Sequence, residues 1–287
     1  MHIDRTAMPG ALALADVARN IGDLPALPAV VLELIRTFDD PEADIPTLAR
    51  MISYDQALAA RTLRAANSSL YRLESKVKTI SQAIMVLGFD TVRSLVSAGA
   101  IVNALPGGGA GLEPSQFWRH SMATALCARN IARHTRLNHE YAFLAGLLHD
   151  IGRLVLATRF PQHYAAVAAW RGAHDAWQVD AEQAVLGIDH QQVGQMLAEA
   201  WHFPPLIQRA IAHHHAPAVD DLGELASIVH VANAIVHALD LGGEPGSAVP
   251  PVSQTAWASL RLDGEMLRAV FRETEAQYED ACQVLTA

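Results

Sequence analysis

Apolar residues along this chain recur at intervals of three and four rather than two, the spacing that lays a stripe along one face of an α-helix. Val31, Leu34, Ile35 and Phe38 form the first such stripe. Asp44 followed by Pro46 reads as a helix start, with the acid as N-cap and the proline in the first turn. Strong helix formers fill 55–66, and further helical periods occupy 81–87 and 90–102. Beyond residue 115 the stripes cover 116–134, 141–160, 189–201, 204–215 and 222–239. Met266, Val270 and Phe271 mark a helical tail. No stretch alternates as a half-buried strand would. The pattern predicts an all-α fold whose second half contains four or five helices.

Two glycine- and proline-rich breaks divide the chain. The first, Leu105 to Gly111, lacks the Gly-Lys-Ser/Thr ending that gives phosphate-cradling loops their chemistry, so it reads as a linker. The second runs from Leu241 to Pro251. The expected organisation is an N-terminal segment (1–22), a helical unit (23–104), a linker (105–115), a second helical unit (116–240), and a linker with a helical tail (241–287).

Composition narrows the function classes. With 287 residues, 51% of them hydrophobic, the chain can bury a sizeable core. Its 21 basic and 30 acidic residues leave a net charge of −9, which argues against nucleic acid as the main partner. A local basic pocket for one nucleotide stays compatible with that balance. Only Cys127 and Cys282 occur, so there is no disulfide framework. The first residues lack the pattern of a signal peptide, and no run of about 20 apolar residues is uninterrupted. The expectation is a soluble, cytoplasmic protein without a membrane partner.

Candidate chemistry is confined to one half. All but one of the 14 histidines lie between His120 and His237, and none lies between Ile3 and Arg119. His120 shares a stripe with Ala123, Thr124, Cys127 and Ile131, where a lone histidine is more often a hydrogen-bonded core residue than a ligand. The nearly all-apolar stretch 141–160 is interrupted by His149 and Asp150, with Gly146 and Gly152 nearby. Two glycines inside a helix suggest close approach by another group. Arg153 either pairs with Asp150 along the helix or faces a phosphate while Asp150 bridges metal ions. His190 precedes a small neighbour, Gly194, by one turn. His213, His214 and His215 either complement a helix dipole or form a surface metal site. His230, Asn233 and His237 draw a polar line along an apolar helix, and buried polar groups of this kind need partners. Jointly these features favour a real constellation.

In this order the residues resemble the HD superfamily of metal-dependent phosphohydrolases, and more closely the HDOD domain, the HD-related output domain of bacterial signalling proteins. The resemblance covers roughly 23–238. It is carried by the run Leu24-Pro-Ala-Leu-Pro-Ala-Val30, by Asp55 with Leu58-Ala-Ala-Arg61 and Leu63-Arg-Ala-Ala-Asn67-Ser68, and by Ala83 to Phe89. The runs Gly146-Leu-Leu-His-Asp-Ile-Gly152, His190-Gln-Gln-Val-Gly194, Trp201-His-Phe-Pro204 and His214-His215-Ala-Pro217 complete it. The resemblance implies an N-terminal helical subdomain packed on a C-terminal HD-like helical core. It also implies a divalent metal (Fe, Mn, Zn or Mg) on His120, His149, Asp150, His190, His214 and His215. Asn233 stands where active enzymes carry an acid, leaving it a weak or outer ligand.

HDOD domains are generally regarded as regulatory, often without the full ligand set, whereas this chain keeps much of it. A related branch that cleaves cyclic di-GMP carries a Gly-Tyr-Pro loop and a Lys after the doublet; here those places hold 216–224 without that triplet, and Arg153. The weight therefore falls on a signal-transduction module acting through a protein partner. The alternative is a metal-dependent phosphohydrolase or phosphodiesterase using Asp150 and Arg153 on a nucleotide, cyclic dinucleotide or other phosphoester. Nucleotide sensing without hydrolysis lies between the two.

Overall fold

Helices are the only regular elements among the residues that the computed structural model describes: 10–27, 29–36, 44–67, 76–105, 111–135, 137–217, 224–242 and 248–286. Phe38, Ser68, the glycine run 106–110, most of the region that corresponds to the Gly-Tyr-Pro loop of the cyclic di-GMP branch (218–223), residues 243–247 and the chain start 1–9 lie outside them.

The sequence pattern passes over α1 (Leu14–Gly22), which packs on the histidine-bearing half and is preceded by a backbone bond from Leu12 N to Leu186 O. Next come α2 (Ala29–Arg36), α3 (Ile45–Ser53), α4 (Gln56–Ala66), α5 (Ile80–Leu87) and α6 (Phe89–Ala104), which pack largely on one another. Asp44 caps α3 by accepting a hydrogen bond from Thr47 N at 2.8 Å, with Pro46 in the first turn. Thr79 and Gln82 form a reciprocal capping box on α5. Gly88, at φ 87°, ends α5 and lets α6 begin at the next residue. The stripe residues Val31, Leu34 and Ile35 are buried, as the helical spacing requires.

The second group holds α7 (Pro114–Thr135), α8 (His139–Leu148), α9 (Ile151–Arg159), α10 (Pro161–His174), α11 (Gln178–Leu186), α12 (His190–Ala200), α13 (Pro205–His213) and α14 (Glu224–Ala238). That is eight helices among the described residues, not the four or five expected. Two errors account for the difference. The stretch 141–160 is not one helix, because the chain breaks at His149–Asp150, where Asp150 takes φ −97°, ψ 10° and its carbonyl accepts from Arg153 N. α10 and α11 carry thin apolar stripes, with only Tyr164 and Val167 buried on α10, so their period is faint. The combined stretch 139–159 is long and apolar enough to cross a membrane, yet 89% of its most apolar window is buried inside the protein. It is the core of this half.

The C-terminal tail is structural rather than peripheral. α15 (Gln254–Leu260) packs on α14, and α16 (Gly264–Thr286) lies along α7 while also touching α4 and α6. Asn130 Nδ2 donates to Thr274 Oγ1 at 3.2 Å, and Arg119 pairs with Glu279 at 2.8 Å. Between the two helix groups, Ser94 of α6 donates to the buried carboxylate of Glu140 on α8.

The glycines set the helix spacing around the doublet. A Cβ on Gly146 would stand 2.8 Å from the backbone of Ala125 and of Thr124, so α8 meets α7 backbone to backbone. A Cβ on Gly152 would stand 2.0 Å from the carbonyl oxygen of His190, and one on Gly194 would stand 2.7 Å from Ile211. α9, α12 and α13 thus close on one another only because both positions lack a side chain. Gly172, in the exposed part of α10, has open space around it. Gly152→Ala should cost about 3 kcal/mol in urea unfolding, as overpacking without room to relax does. Gly172→Ala should raise stability by about 0.5 kcal/mol through the unfolded state and helix propensity.

Candidate metal centre

The close approach of α9 and α12 puts His190 beside Asp150. His190 is the first residue of α12, whose N-cap Asp189 forms a capping box with Gln192. His149 and Asp150 occupy the turn between α8 and α9, His214 and His215 follow α13, and His120 and Asn233 come from α7 and α14. His120, His149, Asp150, His190, His214 and Asn233 are all buried, and His215 is partly so.

Asp150 Oδ1 is the focus. The Nε2 atoms of His190, His214 and His149 stand 3.3, 3.4 and 3.6 Å from it, while Oδ2 accepts from Arg153 Nη1 at 3.0 Å. The outer nitrogen of each ring is already engaged. His149 Nδ1 donates to Gly146 O at 2.8 Å, and His214 Nδ1 donates to Ile211 O at 2.9 Å. His190 Nδ1 donates to Glu182 Oε2 at 2.6 Å, and the same oxygen accepts from His190 N at 2.8 Å. With Nδ1 protonated, a neutral imidazole has its lone pair on Nε2. Lone pairs of His149 and His214 therefore face an anionic oxygen, an arrangement that only an intervening proton or cation makes favourable. His149 Nε2 is buried without any hydrogen-bond partner, as an acceptor waiting for a cation would be.

The donors divide into two groups that share Asp150. Asp150, His190, His214 and His215 form one, and His120, His149 and Asp150 the other; within each, the ligand atoms lie within 4.8 Å of one another. Asn233 adjoins His120 and extends the second group with a neutral oxygen. The chemistry of the donors, imidazole nitrogen with one carboxylate, suits a divalent transition metal ion. The outer hydrogen bonds fix ring orientation as metal-ligating histidines require. The buried cluster is thus able to hold metal.

Electrostatics follow from burial and pairing. Burial opposes charge on His190, yet the carboxylates of Glu182 and Asp150 push it up to about 10. Burial pulls His120 down to about 4 and holds His149 well below the ordinary imidazole value. His215 is lowered too, by burial and by His214 and His190. Burial also opposes ionisation of Asp150, but the Arg153 guanidinium and His190 beside it hold its carboxyl well below the usual range. Since burial keeps His149 neutral, the charge that balances Asp150 comes from Arg153 and protonated His190.

Residues 24–217 match the HDOD domain, which is most of the chain. The chain belongs to the HDOD family. An HDOD domain protein of unknown function from Geobacter sulfurreducens is 26% identical, with a TM-score of 0.80 over 94% of this chain and 96% of that one. A structure from Shewanella amazonensis bearing the name phosphohydrolase is 27% identical, with a TM-score of 0.75 over 94% and 98% of the two chains. The cyclic di-GMP phosphodiesterase CdgJ of Vibrio cholerae is 27% identical over 44% of this chain and 28% of its own length. The chain spans about half the length, or less, of the curated relatives it matches.

His120, His149, Asp150, His190, His214 and His215 converge, and Asn233 joins them. Arg153 pairs with Asp150, as the helix spacing predicts, and also lines a cleft of about 510 Å³ that opens onto the centre. The histidine triplet splits: His213 is exposed, whereas His214 is fully buried, so a purely surface site is excluded. His230 is a brace, donating from Nδ1 to His214 O at 2.8 Å and accepting at Nε2 from Ser253 N at 2.9 Å. His237 stands against His120, ring centroids 4.9 Å apart.

Sequence reasoning missed Glu182, which is fully buried under His190, and the side chains leading to it. Gln178 Nε2 donates to Glu182 Oε1 at 2.8 Å, and Arg171 Nη1 donates to Gln178 Oε1 at 2.9 Å. The one available signal was an acid on the inner face of a helix eight residues before His190. His190 is raised on folding, so its contribution to stability is complete below about pH 6.5 and is lost as pH rises through about 10. Metal-free protein should accordingly lose thermal stability between those values, and Glu182→Gln should flatten the decline, as read by melting temperature against pH.

Proposed function

We propose that this HDOD chain is a signal-transduction module whose HD-type core holds a divalent cation on Asp150 and binds a phosphoester beside Arg153, its output passing to a protein partner. The observation that carries this reading is the set of inward-facing imidazole nitrogens around one buried carboxylate, each outer nitrogen already hydrogen-bonded. A structural core histidine is satisfied on both nitrogens, as His230 is. His149, with a buried Nε2 that has no hydrogen-bond partner, is not.

The two donor groups are unequal. His190, His214, His215 and Asp150 offer four donors, one of them anionic. The His120, His149 and Asp150 group has only the neutral amide of Asn233 to complete it, and amide oxygen holds hard divalent ions more weakly than carboxylate does. A tight cation in the first group and a weak one in the second is the expected loading. That imbalance, with the neutral Asn233, favours sensing over turnover.

Hydrolysis is the second reading, favoured by Asp150 being shared between the groups and by Arg153 at the cleft. A divalent cation, when bound, polarises a phosphoryl oxygen and acidifies water. Arg153, held by Asp150 on one side and by Tyr164 Oη at 3.3 Å on the other, would orient the phosphoryl group and stabilise charge developing on it. His230 and Glu182 keep the neighbouring rings in place.

Metal analysis of protein purified without a histidine tag tests the proposal. About one tightly held transition metal per chain is expected, lost in His190→Ala. Folded protein that takes up none with added Mn²⁺ removes both readings, and metal-loaded protein that cleaves bis(p-nitrophenyl) phosphate favours the second. Asn233→Asp should strengthen the weaker position by about tenfold or more and leave the other unchanged, measured by competition with a chromogenic chelator.

A further inference from the structure

We infer that α1 is a strap whose docking on α12 sets how tightly the first donor group holds metal, so that release of α1 lowers metal affinity; this rests on the metal reading above. Residues 187–189 form the short link between α11 and α12, and on either side of that link stand Glu182 and His190. From the inside, the Glu182 carboxylate accepts from both His190 N and His190 Nδ1. From the outside, the chain ahead of α1 lies over the link. Leu12 N donates to Leu186 O at 2.9 Å, and a Cβ on Gly187 would stand 3.6 Å from the Cβ of Ala11. α1 then packs on α12 itself, with Val17 and Ile21 buried.

The helix depends on its docking. Its nine residues are too few for a stable isolated helix in water. Ala13 at the N-cap supplies no side-chain hydrogen bond, and the Arg19–Asp16 ion pair is exposed on both sides and so contributes little. Undocking is therefore a local opening in which α1 also loses its helix, while the core behind it stays folded. The other end of the strap has little slack. His190 O lies where a Cβ on Gly152 would be only 2.0 Å away, and His190 Nε2 stands 3.3 Å from Asp150 Oδ1. A small shift of the 187–189 link moves one of four ligand atoms relative to the other three. Metal–ligand distances tolerate displacements of only about 0.2 Å, so the docked state is the one that binds tightly. Linkage then requires metal to tighten docking by the same factor.

Hydrogen exchange and Mn²⁺ titration of the full chain test this. Saturation with Mn²⁺ should slow exchange of the α1 amides by about fivefold or more and leave those of α3 unchanged. Val17→Asp, at a fully buried position of α1, should free the α1 amides and weaken Mn²⁺ binding by the same factor, read by competition with a chromogenic chelator. Leu14→Asp, at an exposed position of the same helix, should leave both readouts within about twofold. α1 amides indifferent to Mn²⁺ in the unaltered chain would overturn the strap while leaving the metal centre in place, and this measurement stands even where Val17→Asp fails to fold. A folded Val17→Asp chain with freely exchanging α1 amides and unchanged Mn²⁺ affinity would do the same. Absence of Mn²⁺ uptake by the unaltered chain would overturn the centre and the strap together.

Discussion

A carboxylate taken out of water is the constraint around which this half of the molecule is organised. An unpaired buried charge costs several kcal/mol even after relaxation, so Asp150 survives in the core only because its surroundings answer it. Arg153 meets one oxygen and a ring of imidazoles meets the other. The imidazoles are themselves held from behind, by Gly146 O, Ile211 O and Glu182. Removing the glycine contacts would push apart the helices that carry these groups. Backbone packing, outer hydrogen bonds and inner electrostatics are thus one solution to one problem.

The family places this arrangement among proteins that differ in what they do. HDOD and HD-type relatives include a cyclic di-GMP phosphodiesterase, a structure named as a phosphohydrolase, and a domain of unknown function. Fold does not decide between them, and the site must. Here the site joins five histidines and one buried carboxylate to the neutral amide of Asn233. That amide stands beside His120, in one of the two donor groups.

Much of the fold and most of the site were legible in the sequence, for identifiable reasons. Helical stripes, the Asp44 cap and the proline at the start of α13 are local signals and appear as expected. The doublet with its flanking glycines announced a close helix contact, and the contact is there. The break between α8 and α9 was hidden because apolar periodicity continues through it while one residue leaves helical geometry. Glu182 was hidden because its role arises only when α11 folds back beneath α12, an event without a local signature. α16 read as a tail because nothing in its own sequence records that α4, α6 and α7 will accept it.

The link from Arg171 through Gln178 and Glu182 to His190 has a direction. Gln178 turns its oxygen toward a cation and its nitrogen toward an anion, so inverting the amide would set donor against donor at one end and acceptor against acceptor at the other. Glutamate at that place would have acceptors only, and lysine donors only. One uncharged, two-faced side chain therefore keeps an arginine and a buried glutamate in register without joining them as an ion pair. Glu182 keeps its negative charge for the imidazole above it, and the centre stays tuned from a distance by a residue that carries no charge at all.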